Sequence, residues 1–336
     1  MFKDTTVIKT IQMQCGQAYV VQLADGSLIE LGDVYLPNEN KLGTRPYRYR
    51  DFGNISDKNK RVITLCTMVG CSMKCKFCSV RQTFKRLLTA EDIVNEVEFC
   101  LEEGKKYGRS SDPMESKEFN VLYTRMGEPT ANITNVITSI QELVRRWPHV
   151  KIGMSTTAPS VRVYDFLKYP DIAKHIMMQF SVHGTDEDMR SGLFMAPTGK
   201  VLMGLPEIAK FAKDFRKLNP RMISLNFILF QGFNYDFKRL REIFDVEDVY
   251  LRLSPLNATE NSVSFGLRGL IREEDVDQKA PISSQELKDI IQQIEECGFS
   301  YAFAPAIDEE ITYKAACGQA LEMLKADQLK TFGEMS

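Results

Sequence analysis

Apolar segments of strand length alternate with amphipathic segments through most of this chain, and this alternation limits the fold more than any other feature. Six such apolar runs follow one another: Val62–Cys66, Phe119–Thr124, Val150–Ser155, Ile176–His183, Ile223–Phe230 and Val249–Pro255. Helix candidates lie between them: Ala90–Glu103, Val136–Arg146, Ser160–Lys168, Leu205–Lys217 and Phe237–Phe244. Nearly continuous apolar strands separated by helices are typical of a parallel sheet covered by helices. Six strands rather than eight predict an open α/β fold, a partial (β/α)6 barrel of the TIM type. A seventh run, Phe299–Phe303, follows a helix candidate at Ser284–Cys297 and could close one edge.

The sequence predicts two units. Residues 1–60 form a small β hairpin element, with turn signals at Asp25-Gly26 and Gly32-Asp33, and a basic linker. Residues 61–336 form the partial barrel and end with a cysteine-containing loop. The stretch from Asn257 to Pro281 is polar and poorly patterned, so we expect an insertion loop there.

Charge and hydropathy exclude several classes of protein. The chain has 43 Lys and Arg against 45 Asp and Glu, a net charge of -2, so any nucleic-acid contact must come from a local basic patch. No apolar run is long enough to cross a membrane, and the first ten residues do not resemble a signal peptide. Three of the eight cysteines lie within eight positions, which favours metal binding in a reducing cytoplasm over a disulfide framework.

The strongest chemical signal is a loop with three cysteines directly after the first barrel strand. Cys71, Cys75 and Cys78 are spaced C-x3-C-x2-C, and active sites of such barrels form at the carboxyl ends of the strands. Three thiolates in one loop can bind three irons of a four-iron cluster and leave the fourth iron open for a ligand. A zinc site of three cysteines and one histidine is the alternative, although none of the three histidines is close in sequence.

Polar residues also follow the later strands. Gly127-Glu128-Pro129 follows the second strand. Gly127 permits the backbone to approach a ligand closely, Glu128 has a carboxylate that can accept from an ammonium group, and Pro129 restricts the backbone that follows. Further candidates at strand ends are Ser155, then Ser181, Val182 and His183, and finally Asn257. Such side chains point into the mouth of the barrel. An ordinary strand-to-helix turn at Gly127 and a core histidine at position 183 are the alternatives.

These motifs together resemble those of the radical SAM superfamily, and the likeness covers most of the chain after Arg61. Three further segments resemble the RlmN/Cfr family of radical SAM methyltransferases: the hairpin from Asp25 to Pro37, the stretch from Phe84 to Val97, and Lys314-Ala315-Ala316-Cys317-Gly318-Gln319. That family methylates an adenine ring carbon in ribosomal RNA, and one group also acts on transfer RNA.

The resemblance implies two cofactors and their ligands. A 4Fe-4S cluster would be held by Cys71, Cys75 and Cys78, and S-adenosylmethionine would chelate its open iron. Gly127 and Glu128 would contact the methionyl amine. The ribose, carboxylate and adenine would be contacted by Ser155, Ser181, Val182, His183 and Asn257.

The resemblance also implies the reaction. Cys317 would take a methyl group from one S-adenosylmethionine, and a radical generated from a second would activate that methyl group for addition to the base. A second cysteine, with Cys66 as the candidate, would resolve the covalent link by forming a disulfide. The implied partners are ribosomal or transfer RNA and an electron donor such as flavodoxin or ferredoxin, with no membrane.

The chain departs from the family pattern at three points. Cys66 lies five positions before Cys71, whereas the family places its resolving cysteine seven before, so Cys66 as a buried core residue is the alternative. The family's hairpin glutamate, thought to be a base, aligns with Gly32, so that either Glu30 or Asp33 replaces it or the base is absent. We expect no counterpart of the family's N-terminal helical domain, because the segment that resembles the hairpin lies close to residue 1.

The linker is the candidate replacement for RNA contact. It interleaves the cations Lys41, Arg45, Arg48, Arg50, Lys58, Lys60 and Arg61 with the rings of Tyr47, Tyr49 and Phe52. Cations with stacking rings bind single-stranded RNA, although charged linkers are often merely solvated.

Two other functions compete with RNA methylation. One is a radical SAM enzyme of different outcome on a peptide or small molecule. The other is a non-catalytic iron–sulfur or zinc protein that binds RNA, which would have no use for a cofactor pocket. The substrate and its modified atom, the reductant and the oligomeric state do not follow from the sequence.

Overall fold

The computed structural model describes residues 5–36, 60–80, 84–195, 202–276, 281–304 and 308–324. Its strands are β1 (Thr6–Gln12), β2 (Gly16–Gln22), β3 (Leu28–Leu36), β4 (Lys60–Leu65), β5 (Met68–Val69), β6 (Lys74–Cys75), β7 (Arg86–Leu87), β8 (Glu118–Tyr123), β9 (Lys151–Thr156), β10 (Ile176–Ser181), β11 (Phe194–Met195), β12 (Ile223–Ile228), β13 (Val249–Ser254) and β14 (Tyr301–Phe303). Its α-helices are α1 (Ala90–Gly104), α2 (Ile133–Arg146), α3 (Pro170–Ala173), α4 (Glu187–Leu193), α5 (Leu205–Arg216), α6 (Phe237–Ile243), α7 (Glu260–Ser264), α8 (Gln285–Glu296) and α9 (Asp308–Thr312).

Seven parallel strands form the main part of one sheet, in the order β4-β8-β9-β10-β12-β13-β14. Because consecutive strands along the chain are neighbours in space and all point the same way, the sheet curls as a barrel does. In the described part of the chain no pairing joins β14 to the opposite edge, so the barrel is open. The predicted partial barrel is confirmed, and the seventh apolar run is its edge strand.

Three antiparallel strands extend this sheet at its other edge. β1 pairs with β2, β2 with β3, and β3 runs antiparallel to β4 with Gly32 opposite Thr64. The hairpin element is therefore continuous with the barrel sheet, and a boundary between two units at residue 60 stays a prediction. The linker from residue 41 to residue 58 lies outside the described residues.

Local sequence signals explain the helices that cover the sheet. α1 begins with a capping box in which the Thr89 side chain accepts from the Asp92 backbone N–H and the Asp92 side chain accepts from that of Thr89. Ile93, Val97 and Leu101 recur at helical spacing and are buried. The buried face of α1 packs against α2, β3 and β4, so the helix lies over the junction between hairpin and barrel.

Three predictions differ from the structure. Gly32-Asp33, expected to mark a turn, lies inside β3, where it pairs with both β2 and β4. Ser160–Lys168, expected to be an α-helix, forms a 3-10 helix at Val161–Lys168 that Ser160 caps by accepting from the Arg162 N–H. The expected insertion loop contains α7, whose own cap is Thr259, and a 3-10 helix at Glu273–Val276. Among the helices in the described ranges, none is both long and apolar enough to cross a membrane.

Candidate active site

The three clustered cysteines lie in a loop at the carboxyl end of β4, which we call the cluster loop and define as residues 70–80. The chain turns into it at Gly70, where φ is +75°, and the Gly70 N–H donates to Met126 Sδ over 3.0 Å. The loop is fixed at a second point because β6 pairs antiparallel with β11. The sequence folds this way because glycine adopts a positive φ without strain.

Apolar side chains surround the thiols. Cys75 belongs to a buried group with Met73, Leu193, Phe194, Leu202 and Phe230, and Cys71, Phe77 and Cys78 pack against it. Burial and the neighbouring Cys78 raise the pKa of Cys71 to about 12. Backbone N–H groups donate to two of the sulfurs, Met73 N to Cys71 Sγ at 3.4 Å and Val80 N to Cys78 Sγ at 3.3 Å.

This donor set fits the implied iron–sulfur cluster. Thiolate ligands are soft donors of the kind that iron–sulfur clusters use, and N–H groups aimed at the sulfurs stabilise their negative charge. Within the described ranges no three His, Cys, Asp or Glu side chains converge as they would around a single ion. A cluster in which each iron takes its own cysteine does not require that convergence.

Gly127 and Glu128 lie beside the cluster loop, after β8. Gly127 has a φ of +106°, and a Cβ there would come within 2.5 Å of Thr67 Oγ1 and 2.9 Å of Met68 N. The Glu128 carboxylate is buried and accepts from three threonines: Thr130, Thr156 and Thr157. The threonines fix the carboxylate where the carboxyl ends of β8 and β9 meet.

The remaining predicted cofactor residues follow β9, β10 and β13. Ser155 Oγ accepts from Gln179 Nε2 over 3.0 Å, and the backbone N–H groups of Val182 and His183 donate to Asn226 O. Ser181 ends β10 and Asn257 follows β13, both half-buried. These residues therefore share one end of the barrel.

His183 is the most constrained of these residues. Its φ is +55°, a left-handed conformation that is uncommon for a side chain with a Cβ. Its Nδ1 accepts from the Ile228 N–H at 2.9 Å, and its ring meets that of Phe77 with centroids 4.7 Å apart. Burial, aided by the charge of Arg190, lowers its pKa to about 3, so the imidazole is neutral. The contact with Phe77 joins the fourth barrel strand to the cluster loop.

Cys317 lies in a second loop, residues 315–321, which we call the thiol loop. Gly318 has a φ of +83°, and a Cβ there would come within 2.8 Å of both Ser79 Cβ and Val80 N, so the thiol loop packs directly on the cluster loop. Cys317 is exposed as a residue. Desolvation raises its pKa to about 11, while the positive charge of Arg125 opposes that rise.

Glu30 and Cys66 meet next to the thiol loop. Both carboxylate oxygens of Glu30 accept from that loop, Oε2 from Gly318 N and Oε1 from Leu321 N, each at 2.7 Å. The Cys66 thiol donates to Glu30 O over 3.0 Å. Burial raises the pKa of both side chains. The structure thus brings together the three residues predicted to carry the chemistry.

Asp33, the other predicted substitute for the hairpin glutamate, has a different partner. Both of its oxygens accept from Arg61, at 2.9 and 2.7 Å, and both side chains are buried. Arg61 is therefore not available to RNA, which corrects its place among the expected RNA-contacting cations.

The expected disulfide is not supported. None of the eight cysteines, all of which the structure describes, forms one. The physical reason at Cys66 is that its thiol is directed at the Glu30 carbonyl oxygen.

Sequence reasoning missed Arg125. Its guanidinium is buried, and it donates to Thr64 Oγ1, to Ala315 O and to Glu310 Oε1. The available signal was a charged residue directly before Met126-Gly127-Glu128, where a strand ends in the protein interior.

Comparisons with known proteins concern the chain as a whole. No family model matches the chain. The probable dual-specificity RNA methyltransferase RlmN 3 of Opitutus terrae is 28% identical over 250 residues, which cover 72% of this chain and 62% of that protein. The probable dual-specificity RNA methyltransferase RlmN of Dictyoglomus turgidum is 27% identical over 291 residues, 83% of this chain and 73% of that protein. The chain thus spans about three fifths of the first relative's length and about three quarters of the second's.

A solved structure shares the fold. A radical SAM methyltransferase from Sphaerobacter thermophilus superimposes with a TM-score of 0.68 over 94% of this chain and 80% of that one, at 18% identity. The resemblance inferred from the motifs is confirmed: the chain is similar in sequence to RlmN proteins and shares its fold with a radical SAM methyltransferase.

Proposed function

We propose that this protein is a radical SAM methyltransferase that modifies an adenine ring carbon in RNA through a methylated Cys317. One observation carries the proposal: the thiol loop packs against the cluster loop at Ser79 and Val80, directly beside Cys78. A thiol that only filled space in the fold would have no need to lie at the metal site.

Different residues of the chain would bind the two cofactors. Cys71, Cys75 and Cys78 would hold the 4Fe-4S cluster. The residues at the strand ends, Gly127, Glu128, Ser155, Ser181, Val182, His183 and Asn257, would bind and orient S-adenosylmethionine. When bound, these cofactors supply a transferable methyl group and, after one-electron reduction, a radical that abstracts hydrogen.

Two features of the site suit methyl transfer to Cys317. A thiol must lose its proton to act as a nucleophile, and Arg125 supplies a positive charge that favours the thiolate. The rings of Phe77, Phe194 and neutral His183 contact one another beside the cluster-loop cysteines, where they would limit the access of water. Cys66, beside Glu30, is our candidate for the second thiol.

The RNA substrate is supported by the relatives, whose names describe RNA methyltransferases. An electron donor such as flavodoxin or ferredoxin would complete the reaction. Of the linker cations, Lys60 pairs with Glu118 across 3.8 Å, so RNA contact by the linker would depend on residues 41–58.

The test is mass spectrometry of the reconstituted protein after incubation with S-adenosylmethionine. We expect one methyl group on the peptide that contains Cys317, and none on that peptide in a Cys317→Ala variant. A Cys297→Ala variant is the matched control, because Cys297 lies at the end of α8 and should leave the modification intact. An unmodified Cys317 in the wild type would contradict the proposal, and would favour a radical SAM reaction of different outcome if 5′-deoxyadenosine still forms.

To identify the substrate, modified nucleosides would be compared between a strain lacking this protein and its parent. We expect loss of a methylated adenosine from ribosomal or transfer RNA. Unchanged RNA nucleosides would contradict the RNA substrate.

A further inference from the structure

We propose that Glu30 and Arg125 are positioning residues that clamp the thiol loop on both sides of Cys317, and that position 32 is a glycine because the Arg125 guanidinium occupies the space of its side chain. The inference rests on the proposed function, since it concerns how Cys317 is presented. It gives Glu30 a role different from the base that the sequence predicted.

Glu30 holds the loop after Cys317. Residues 319–324 are helical, and the first backbone N–H groups of a helix have no partner within it. The Glu30 carboxylate accepts from the N–H of Gly318, the residue before this helix, and from that of Leu321 in its first turn, across 288 and 291 residues of sequence. Because each oxygen is directed at the loop backbone, Glu30 is placed as an anchor and not as a group that receives a substrate proton.

Arg125 holds the loop before Cys317. One terminal nitrogen donates to Ala315 O, and the other pairs with Glu310 Oε1 at 3.2 Å. Its Nε donates to Thr64 Oγ1 at 2.7 Å, which ties the guanidinium to β4. A buried guanidinium needs both a charge partner and several acceptors, and here Glu310 and the loop provide them.

Gly32 makes this arrangement possible. It faces Thr64 across the β3–β4 pairing, and a Cβ at Gly32 would collide with the terminal nitrogen of Arg125 and with Thr64 Oγ1. Gly32 is not among the residues with a positive φ, so its requirement is one of space and not of backbone conformation. Any larger side chain at position 32 would displace the guanidinium.

The two anchors fix the direction in which Cys317 projects. They hold the backbone at Ala315, two residues before it, and at Gly318 and Leu321 after it. Between them, Gly318 lies against Ser79 and Val80. The clamp therefore presses the loop onto the cluster loop, where a methyl acceptor must lie.

The test uses hydrogen exchange measured by mass spectrometry on the reconstituted protein with its cluster, together with the rate of methyl transfer to Cys317. The variants are Glu30→Ala, Glu30→Gln and Gly32→Ala. Gly192→Ala is the matched control, since a Cβ at Gly192 meets no atom within 4 Å.

We expect amides of the thiol loop to exchange about tenfold faster or more in Glu30→Ala and Gly32→Ala, because each loses an anchor. Glu30→Gln keeps one acceptor oxygen and should restore part of the protection. At saturating S-adenosylmethionine, methyl transfer should slow by a similar factor, with the KM for S-adenosylmethionine unchanged. Gly192→Ala should match the wild type in both measurements.

Unchanged exchange in Glu30→Ala and Gly32→Ala would overturn the clamp. So would a Glu30→Gln variant with full protection and no methyl transfer, because Glu30 would then act chemically. If Glu30→Ala does not fold, Gly32→Ala decides alone, since it leaves every charge in place. The exchange measurement needs no methyl transfer, so a wild type that never methylates Cys317 would refute the proposed function while leaving the clamp to be decided separately.

Discussion

The two cysteine-bearing loops, the cluster loop and the thiol loop, lie against each other but are held in place by different kinds of side chain. The cluster loop is enclosed by apolar side chains such as Met73, Phe194 and Phe230. The thiol loop is held by the buried charges of Glu30 and Arg125. A metal group would bring its own positive charge, so its thiolates would need little more than an apolar cage and the N–H donors of Met73 and Val80. A single protein thiol has no such partner, and the protein must supply the charges that orient it.

Removing a cluster-loop ligand would give the largest effect. Cys75→Ala should lose essentially all iron and all 5′-deoxyadenosine formation, because the cage offers no replacement ligand. Iron and sulfide assays with electron paramagnetic resonance would measure this, and Cys297→Ala should retain its iron. Full iron content in Cys75→Ala would show that Cys75 is not an iron ligand, and the contrast between a metal-binding loop and a thiol-presenting loop would fail.

The second prediction tests whether the buried ion pair between Asp33 and Arg61 stabilises the fold beside the hairpin. Asp33→Asn should lower the free energy of unfolding by about 3–5 kcal/mol, because it leaves the Arg61 charge buried without a counter-ion. Asp25→Asn is the control on the same hairpin: it breaks an exposed pair with Arg86 and should cost less than about 1 kcal/mol. Urea unfolding followed by circular dichroism compares the two, and equal losses would contradict the claim.

The third prediction concerns the cofactor side. Glu128→Gln should weaken binding of S-adenosylmethionine about tenfold or more, which corresponds to a charged hydrogen bond of about 1.5–3 kcal/mol. Calorimetric titration of the reconstituted protein provides the measurement. Glu118→Gln, at the other end of the same strand, should bind normally. If Glu128→Gln and the wild type bind S-adenosylmethionine with equal affinity, Glu128 does not contact the cofactor.

The smallest effect concerns pH. The pKa of His183 is lowered to about 3 in the folded protein, whereas an unfolded histidine titrates near 6.5. As pH falls below about 6.5, protons bind to the unfolded state alone, so the free energy of unfolding should fall by about 1.4 kcal/mol per pH unit. Urea titrations from pH 7 to pH 5 should show a shallower dependence in His183→Gln. An identical dependence would show that other groups control it.

The cluster loop could be predicted from the sequence because its determinants are local. Cys71, Cys75 and Cys78 lie within eight positions, and the strand before them is marked by its apolar run. The alternation of strands and helices likewise gave the open parallel barrel, since each element carries its own pattern of burial.

The thiol loop could be predicted only in part. Cys317 is a candidate through the resemblance of its segment to a family motif, but the contact between Arg125 and Ala315 spans 190 residues and leaves no local signal. The two hairpin carboxylates illustrate the same limit. Glu30 and Asp33 are three positions apart, yet only the folded sheet shows that one holds the thiol loop and the other holds Arg61.

The hydrogen bonds between Glu30 and residues 318–321 also bear on the order of assembly. A ribosome makes the hairpin nearly three hundred residues before the segment that satisfies its carboxylate, and during synthesis N-terminal parts fold first. Until that segment emerges, Glu30 has water as its partner and the cluster loop stays uncovered. If the proposed function holds, iron could reach the three cysteines before Cys317 is made, and the arrival of the last segment would then complete the proposed active site.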